Sequence, residues 1–121
     1  MVTRQKRFSN VIGFDDAPFD RDHRGAVTVV GTVYANLRFD GVLMGAVRKD
    51  GADAASVLAD MVKKSRFAQH AQLILLQGVT MAGFNVVDPF ALNQALKLPV
   101  LVVARRQPDF EAIRRALIRH I

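Results

Sequence analysis

The chain has no cysteine. That excludes disulfides, zinc–thiolate sites and thiol nucleophiles together. Tryptophan is also absent and there is one tyrosine, so few indole or phenol rings are available to interleave with cations on a base-stacking surface. The longest apolar runs are about seven residues, against the roughly 20 that span a bilayer. No signal-peptide-like run follows the charged start MVTRQKRFSN. We therefore expect a soluble, cytoplasmic protein without membrane partners. No phosphate-cradling glycine motif is present: GTVYANL holds a single glycine, and TMAGFN reads as a turn. The histidines at His23, His70 and His120 lack metal-ligand spacing, and no Ser/His/Asp arrangement stands out. We find no internal repeat, linker or low-complexity stretch.

What is present is a chain of 121 residues, half of them hydrophobic, with a formal net charge of +6. That length suits one domain with one core. The basic balance favours anionic partners, nucleic acid first. The charge is dispersed, with its densest spots at Arg4–Lys6–Arg7, Lys63–Lys64–Arg66, Arg105–Arg106 and Arg114–Arg115–Arg119.

Residues 1–9 are polar and basic and read as a flexible arm. Residues 10–121 read as one domain. Asn10 to Phe14 is a candidate strand ending in Asp15 and Asp16, and 17–25 is a polar loop. Ala26 to Tyr34 alternates valine and threonine, which makes a strand. Val42 to Val47 makes another after an Asp40–Gly41 turn. Short connections suggest an antiparallel meander. After Asp50–Gly51 the period changes. Val57, Leu58, Met61 and Val62 share one face of a helix over Ala54 to Arg66. Leu73–Leu76 and Val100–Val103 are continuous apolar runs, the pattern of parallel strands buried on both faces. Between them Asp88 and Pro89 open a helix as N-cap and first helical residue. Phe110, Ile113, Leu117 and Ile121 keep helical spacing in a last helix. The predicted order is βββαβαβα: three antiparallel strands, then two βα units of a mixed α/β sheet.

Several carboxylates admit two readings. Adjacent Asp15 and Asp16 point to opposite faces of a strand, so only one looks into a given site. At a strand end such a group holds Mg²⁺ or bonds its own backbone ahead of a loop. Asp50 belongs to an Asp–Gly turn, and Asp53 fits an N-cap of the first helix. Each is also a candidate ligand. Asp88 fits a cap best. Gln77 and Arg105–Arg106 fall at the carboxyl ends of parallel strands, where α/β sheets bind ligands. Arginines there clamp phosphate or are simply solvated.

Four segments carry a family resemblance: VIGFDDAPF (11–19), FDGVLMGAVRKDGADAASVLADMV (39–62), LLQGVTMAGFNVVDPFAL (75–92) and LPVLVVARRQPD (98–109). AGFNVVD is the most specific part. Together they resemble the family catalogued as domain of unknown function ninety-nine, which is similar to endonuclease V. The resemblance covers nearly the whole chain and implies a ribonuclease H-like fold with Mg²⁺-dependent nuclease chemistry, the metal clamping the attacking water and the leaving oxygen. It implies catalytic and metal-binding roles for Asp15 and for Asp50 or Asp53. At the third carboxylate position, before the central glycine, this chain has Gln77, a vacated ligand position. A neutral amide on a longer side chain replaces a charged ligand there. Arg105 falls where endonuclease V-like enzymes carry a lysine, and with Arg106 it is the expected substrate-binding pair. The resemblance also implies a further C-terminal segment past the last strand–helix unit; the expectation is that its contribution is absent here or that the chain is naturally minimal. The expectation is a nucleic-acid-binding domain with weak or lost nuclease activity. An active Mg²⁺-dependent endonuclease, using Asp15, Asp50 or Asp53 and Asp88, is one alternative. A non-catalytic homo-oligomeric module is the other.

Overall fold

The structure is a computed structural model that describes residues 9–103, 114, 115 and 118. The expected basic arm (all but Ser9), Arg105–Arg106 and most of the expected last helix lie outside the described residues; Arg114, Arg115 and Ile118 are helical.

Strand β1 spans Asn10–Asp16, β2 Ala26–Ala35 and β3 Arg38–Arg48; they pair antiparallel in sequence. Helix α1 (Ala54–Lys63) leads to β4 (Leu73–Leu76), which pairs parallel to β1. A small hairpin follows, β5 (Thr80–Met81) and β6 (Asn85–Val86), then α2 (Pro89–Leu96) and β7 (Val100–Val102), parallel to β4. The main sheet has five strands in the order β3-β2-β1-β4-β7. This is the expected mixed α/β sheet.

Three details depart from the sequence reading. The β5–β6 hairpin inserts two short strands between β4 and α2. Two-residue strands have no periodicity to detect. Asp40–Gly41 is not a turn but lies inside β3, opposite a register shift at Val33/Tyr34. The reversal occurs at Asn36, which takes the left-handed conformation at φ +57°, and asparagine tolerates that region. Helix α1 stops at Lys63, because the Ser65 hydroxyl bonds back to the Val62 carbonyl at 2.7 Å.

Alternation sets the two faces of the sheet. Ile12, Phe14, Val27, Val29, Val33, Val47, Ile74 and Leu76 face one side, where they pack with Leu58 and Val62 of α1 and Leu92 of α2. Burying each of these larger side chains stabilises the fold by roughly 1.5–3 kcal/mol. Gly31 makes room for the Phe14 ring, since a Cβ there would stand 2.7 Å from its Cε1. The other face carries Val11, Asp15, Val30, Val42 and Met44, and Met44 is 68% exposed. On that side Leu73 and Leu75 are half-buried and Leu101 is exposed. The expectation of strands buried on both faces is thus met on one face by described elements. No candidate membrane-crossing helix occurs among the described residues.

Candidate functional site

Strands β1, β3, β4 and β7 run the same way, so their carboxyl ends share one edge of the sheet. Asp15 and Asp16 stand at the end of β1, inside the strand. The alternation sends them to opposite faces. Asp15 is exposed and its Oδ1 accepts the Asp16 N–H at 2.9 Å. Asp16 lies on the core side, and its Oδ2 accepts the Ala82 N–H at 2.7 Å. The register pairs Phe14 with Leu76, so Asp15 and Gln77 are the next residues along two adjacent parallel strands. Gln77 is exposed, and Gly78 after it takes φ +93°.

Asp50 and Asp53 follow the end of β3, two strands from β1 in the sheet order. At about 4.8 Å per strand this is roughly 10 Å of backbone separation. Asp50 adopts φ +53°, its N–H donates to the Ala82 carbonyl at 2.9 Å, and its Oδ1 accepts the Phe84 N–H at 2.9 Å. Asp53 occupies the N-cap position of α1, but its side chain does not cap the helix. Its Oδ1 accepts instead from the Arg48 N–H at 3.1 Å and from Asn85 Nδ2 at 2.7 Å. Asn85 supplies the cap: its Oδ1 accepts the Ala54 N–H at 3.1 Å, and its Nδ2 also donates to the Arg48 carbonyl at 2.8 Å. This asparagine is fully buried, and its amide is satisfied by three partners on the β3–α1 connection.

The 80–86 hairpin is therefore the hub of this edge. Asp16 grips it at Ala82, Asp50 at Phe84 and Asp53 at Asn85. Sequence reasoning took this stretch for a plain turn and missed Asn85 and Phe84. The available signal was a lone amide inside an apolar run, GFNVV. Such a residue, once buried, must find partners. Asp88 performs the capping role expected of it, accepting from the Phe90 and Ala91 N–H groups at 2.9 and 3.2 Å, with Pro89 at the start of α2.

The donor set bears on the Mg²⁺ expectation. Mg²⁺ asks for oxygen ligands at about 2.1 Å in octahedral order. Among the described residues no three His, Asp or Glu side chains form a group able to hold a metal ion. Asp16, Asp50 and Asp53 each have an oxygen engaged by an N–H of the protein, and position 77 brings a neutral amide. The described residues do not fit a three-carboxylate Mg²⁺ site.

A five-stranded mixed sheet with helices α1 and α2 on one face, its parallel carboxyl ends carrying Asp15 and Gln77, defines an α/β fold similar to endonuclease V. Residues 7–121 match the family described as Endonuclease dU, and the chain belongs to that family. It is 50% identical over 115 residues to a UPF0215 protein of Deinococcus radiodurans, covering 95% of this chain and 58% of that protein. The chain thus spans little more than half the length of this relative. The crystal structure of a protein of unknown function from Archaeoglobus fulgidus is similar at 36% identity and a TM-score of 0.79, over 91% of this chain and 65% of that one. Ciona intestinalis endonuclease V, solved in complex with a 24mer DNA containing an inosine followed by a ribo-adenosine, is similar at 15% identity and a TM-score of 0.57. That match covers 84% of this chain and 47% of the other, and shows the fold.

Proposed function

We propose that this chain is a nucleic-acid-binding, endonuclease V-like domain on a ribonuclease H-like scaffold, with weak or lost metal-dependent nuclease activity. We read domain of unknown function ninety-nine as the same lineage. The observation that carries the reading is that Asp15 and Gln77 are the residues that follow the last registered pair, Phe14 with Leu76, at the carboxyl ends of adjacent parallel strands. These are the positions where endonuclease V-like chemistry asks for two carboxylates, and here one is an amide. Asp50 and Asp53 complete the proposed catalytic group, with Asp15 and Asp53 the proposed metal ligands. Their engagement with the 80–86 hairpin supports weak metal binding. Arg105 and Arg106, after β7, are proposed as the phosphate clamp. The family's description, Endonuclease dU, makes deoxyuridine-containing DNA the first substrate to try.

Binding is tested with a fluorescently labelled, deoxyuridine-containing single strand. Phosphate-driven affinity should fall with a linear log–log dependence on salt. No binding at low salt overturns the proposal. Gln77→Asp with Mn²⁺ calorimetry tests the site: metal binding gained by the variant supports a vacated ligand at 77, and no gain removes that assignment. Family membership favours a second reading, an active Mg²⁺-dependent endonuclease. Mg²⁺-dependent cleavage abolished by Asp15→Ala would establish it in place of the first.

A further inference from the structure

The 80–86 hairpin leaves one side chain unexplained. Met81, Ala82 and Asn85 are buried, yet the Phe84 ring between them is 44% exposed. The turn that carries it is fixed on every side. Ala82 donates to Asp16 and accepts from Asp50, the Phe84 N–H is held by Asp50, and Asn85 is locked to the β3–α1 connection. Ala82 at φ +48° and Asp50 at φ +53° are left-handed residues that are not glycine. Each is held there at a cost of about 1 kcal/mol or more. Burial of an aromatic ring is the usual return for ordering its backbone, and here the ring stays in solvent.

Asp16 ends β1 and Asp50 follows β3, so the hairpin spans the same strand-end edge as Asp15 and Gln77. One Asp50 carboxylate oxygen is engaged by the Phe84 N–H. Arg48, whose carbonyl accepts the Asn85 amide, presents an exposed side chain from the same junction. An exposed ring on an ordered turn, in a chain of net charge +6, has the makings of a stacking platform for a base. Pre-ordering matters, because the backbone beneath the ring is already held and loses little freedom on binding.

We propose that Phe84 stacks on an unpaired base of single-stranded nucleic acid bound across the carboxyl edge of the sheet. This rests on the nucleic-acid reading above and adds to it the residue that contacts a base. Stacking tolerates any base, so Phe84 contributes affinity rather than sequence preference.

The absence of tryptophan makes the test direct. Phe84→Trp installs a single indole at the platform, and Leu37→Trp installs one at the β2–β3 turn. Leu37 is 99% exposed and lies by the amino end of β1, at the far end of the sheet. Each full-length variant is titrated with an unlabelled deoxyuridine-containing single strand while binding is followed separately by anisotropy of a labelled strand. The expected result is quenching of the indole at 84 and not at 37. Phe84→Ala should weaken binding roughly tenfold. Phe84→Leu, which keeps apolar bulk without a ring, should not restore it. Circular dichroism confirms that each variant folds. Undiminished binding by Phe84→Ala with an unquenched indole at 84 overturns the stacking role while the nucleic-acid reading stands. No binding by any variant or by the parent chain overturns that reading, and the stacking role with it.

Discussion

Replacing Asn85 with alanine removes the amide that ties the hairpin to the β3–α1 connection, and the structure sets the size of the effect. Three hydrogen bonds vanish together. The Ala54 N–H, at the first turn of α1, belongs to a fully buried residue. Left without an acceptor it costs about 1–3 kcal/mol. The Arg48 carbonyl and the Asp53 carboxylate lie nearer solvent and recover water in part, so each loss is about 0.5–1.5 kcal/mol. The vacated side-chain volume adds a smaller cavity term. The hydrogen-bond losses sum to about 2–6 kcal/mol, a large fraction of the roughly 5–15 kcal/mol of a typical domain. Urea denaturation followed by circular dichroism measures it directly. Asn93→Ala is the control, since the Asn93 amide makes one exposed bond, to the Leu98 carbonyl at 2.7 Å. Its loss should cost no more than about 1 kcal/mol. Asn85→Asp keeps the shape but loses both donors and sets a carboxylate against Asp53, so it should be no milder than the alanine variant. If Asn85→Ala costs less than about 1 kcal/mol, the hairpin is not clamped through this amide and the account of this edge fails.

Gly83→Ala should destabilise by about 2–3 kcal/mol, because Gly83 sits at φ +82° and an added Cβ would collide with Asp50 Oδ1. Gly78→Ala, at φ +93° with open space around it, should show only the backbone strain of about 1 kcal/mol; equal losses in urea melts would refute the collision. Asp88→Ala removes the acceptor for two N–H groups of α2 and should cost about 1 kcal/mol in thermal melts, with no loss if solvent caps the helix equally well. Gly31→Ala drives a methyl into the Phe14 ring and should cost about 1–3 kcal/mol, with Phe14→Leu in the same chain relieving part of it.

The main sheet was legible because its signals are local. Valine–threonine alternation located β2, apolar runs located β4 and β7, and Asp88–Pro89 located the start of α2. That Asp15 ends β1 and Gln77 follows β4 was legible, since strand ends follow from strand positions, though which strands are neighbours is set by tertiary pairing. The β5–β6 hairpin was not. Its strands of two residues each carry no period, and the bonds that define it reach across the chain to Asp16 and Asp50. Asp40–Gly41 misled for a tertiary reason. The glycine serves packing, because a Cβ there would stand 2.7 Å from the Phe67 ring, rather than reversing the chain.

Asp50 and Asp53 show why a candidate site is harder to read than a fold. An aspartate before glycine and an aspartate before a helix look the same in sequence whether they bind a metal, turn the chain or cap the helix. What separates these roles is the donor that reaches the carboxylate. For Asp50 that donor is the Phe84 N–H, 34 residues away, and for Asp53 it includes the Asn85 amide, 32 residues away. With Asn85 capping α1 in its place, Asp53 is released from the helix to hold the end of β3. The two carboxylates nearest in sequence to the expected ligand position thus stabilise the hairpin. Asp15 and Gln77 stand beside this clamp, one residue past the last registered pair of β1 and β4.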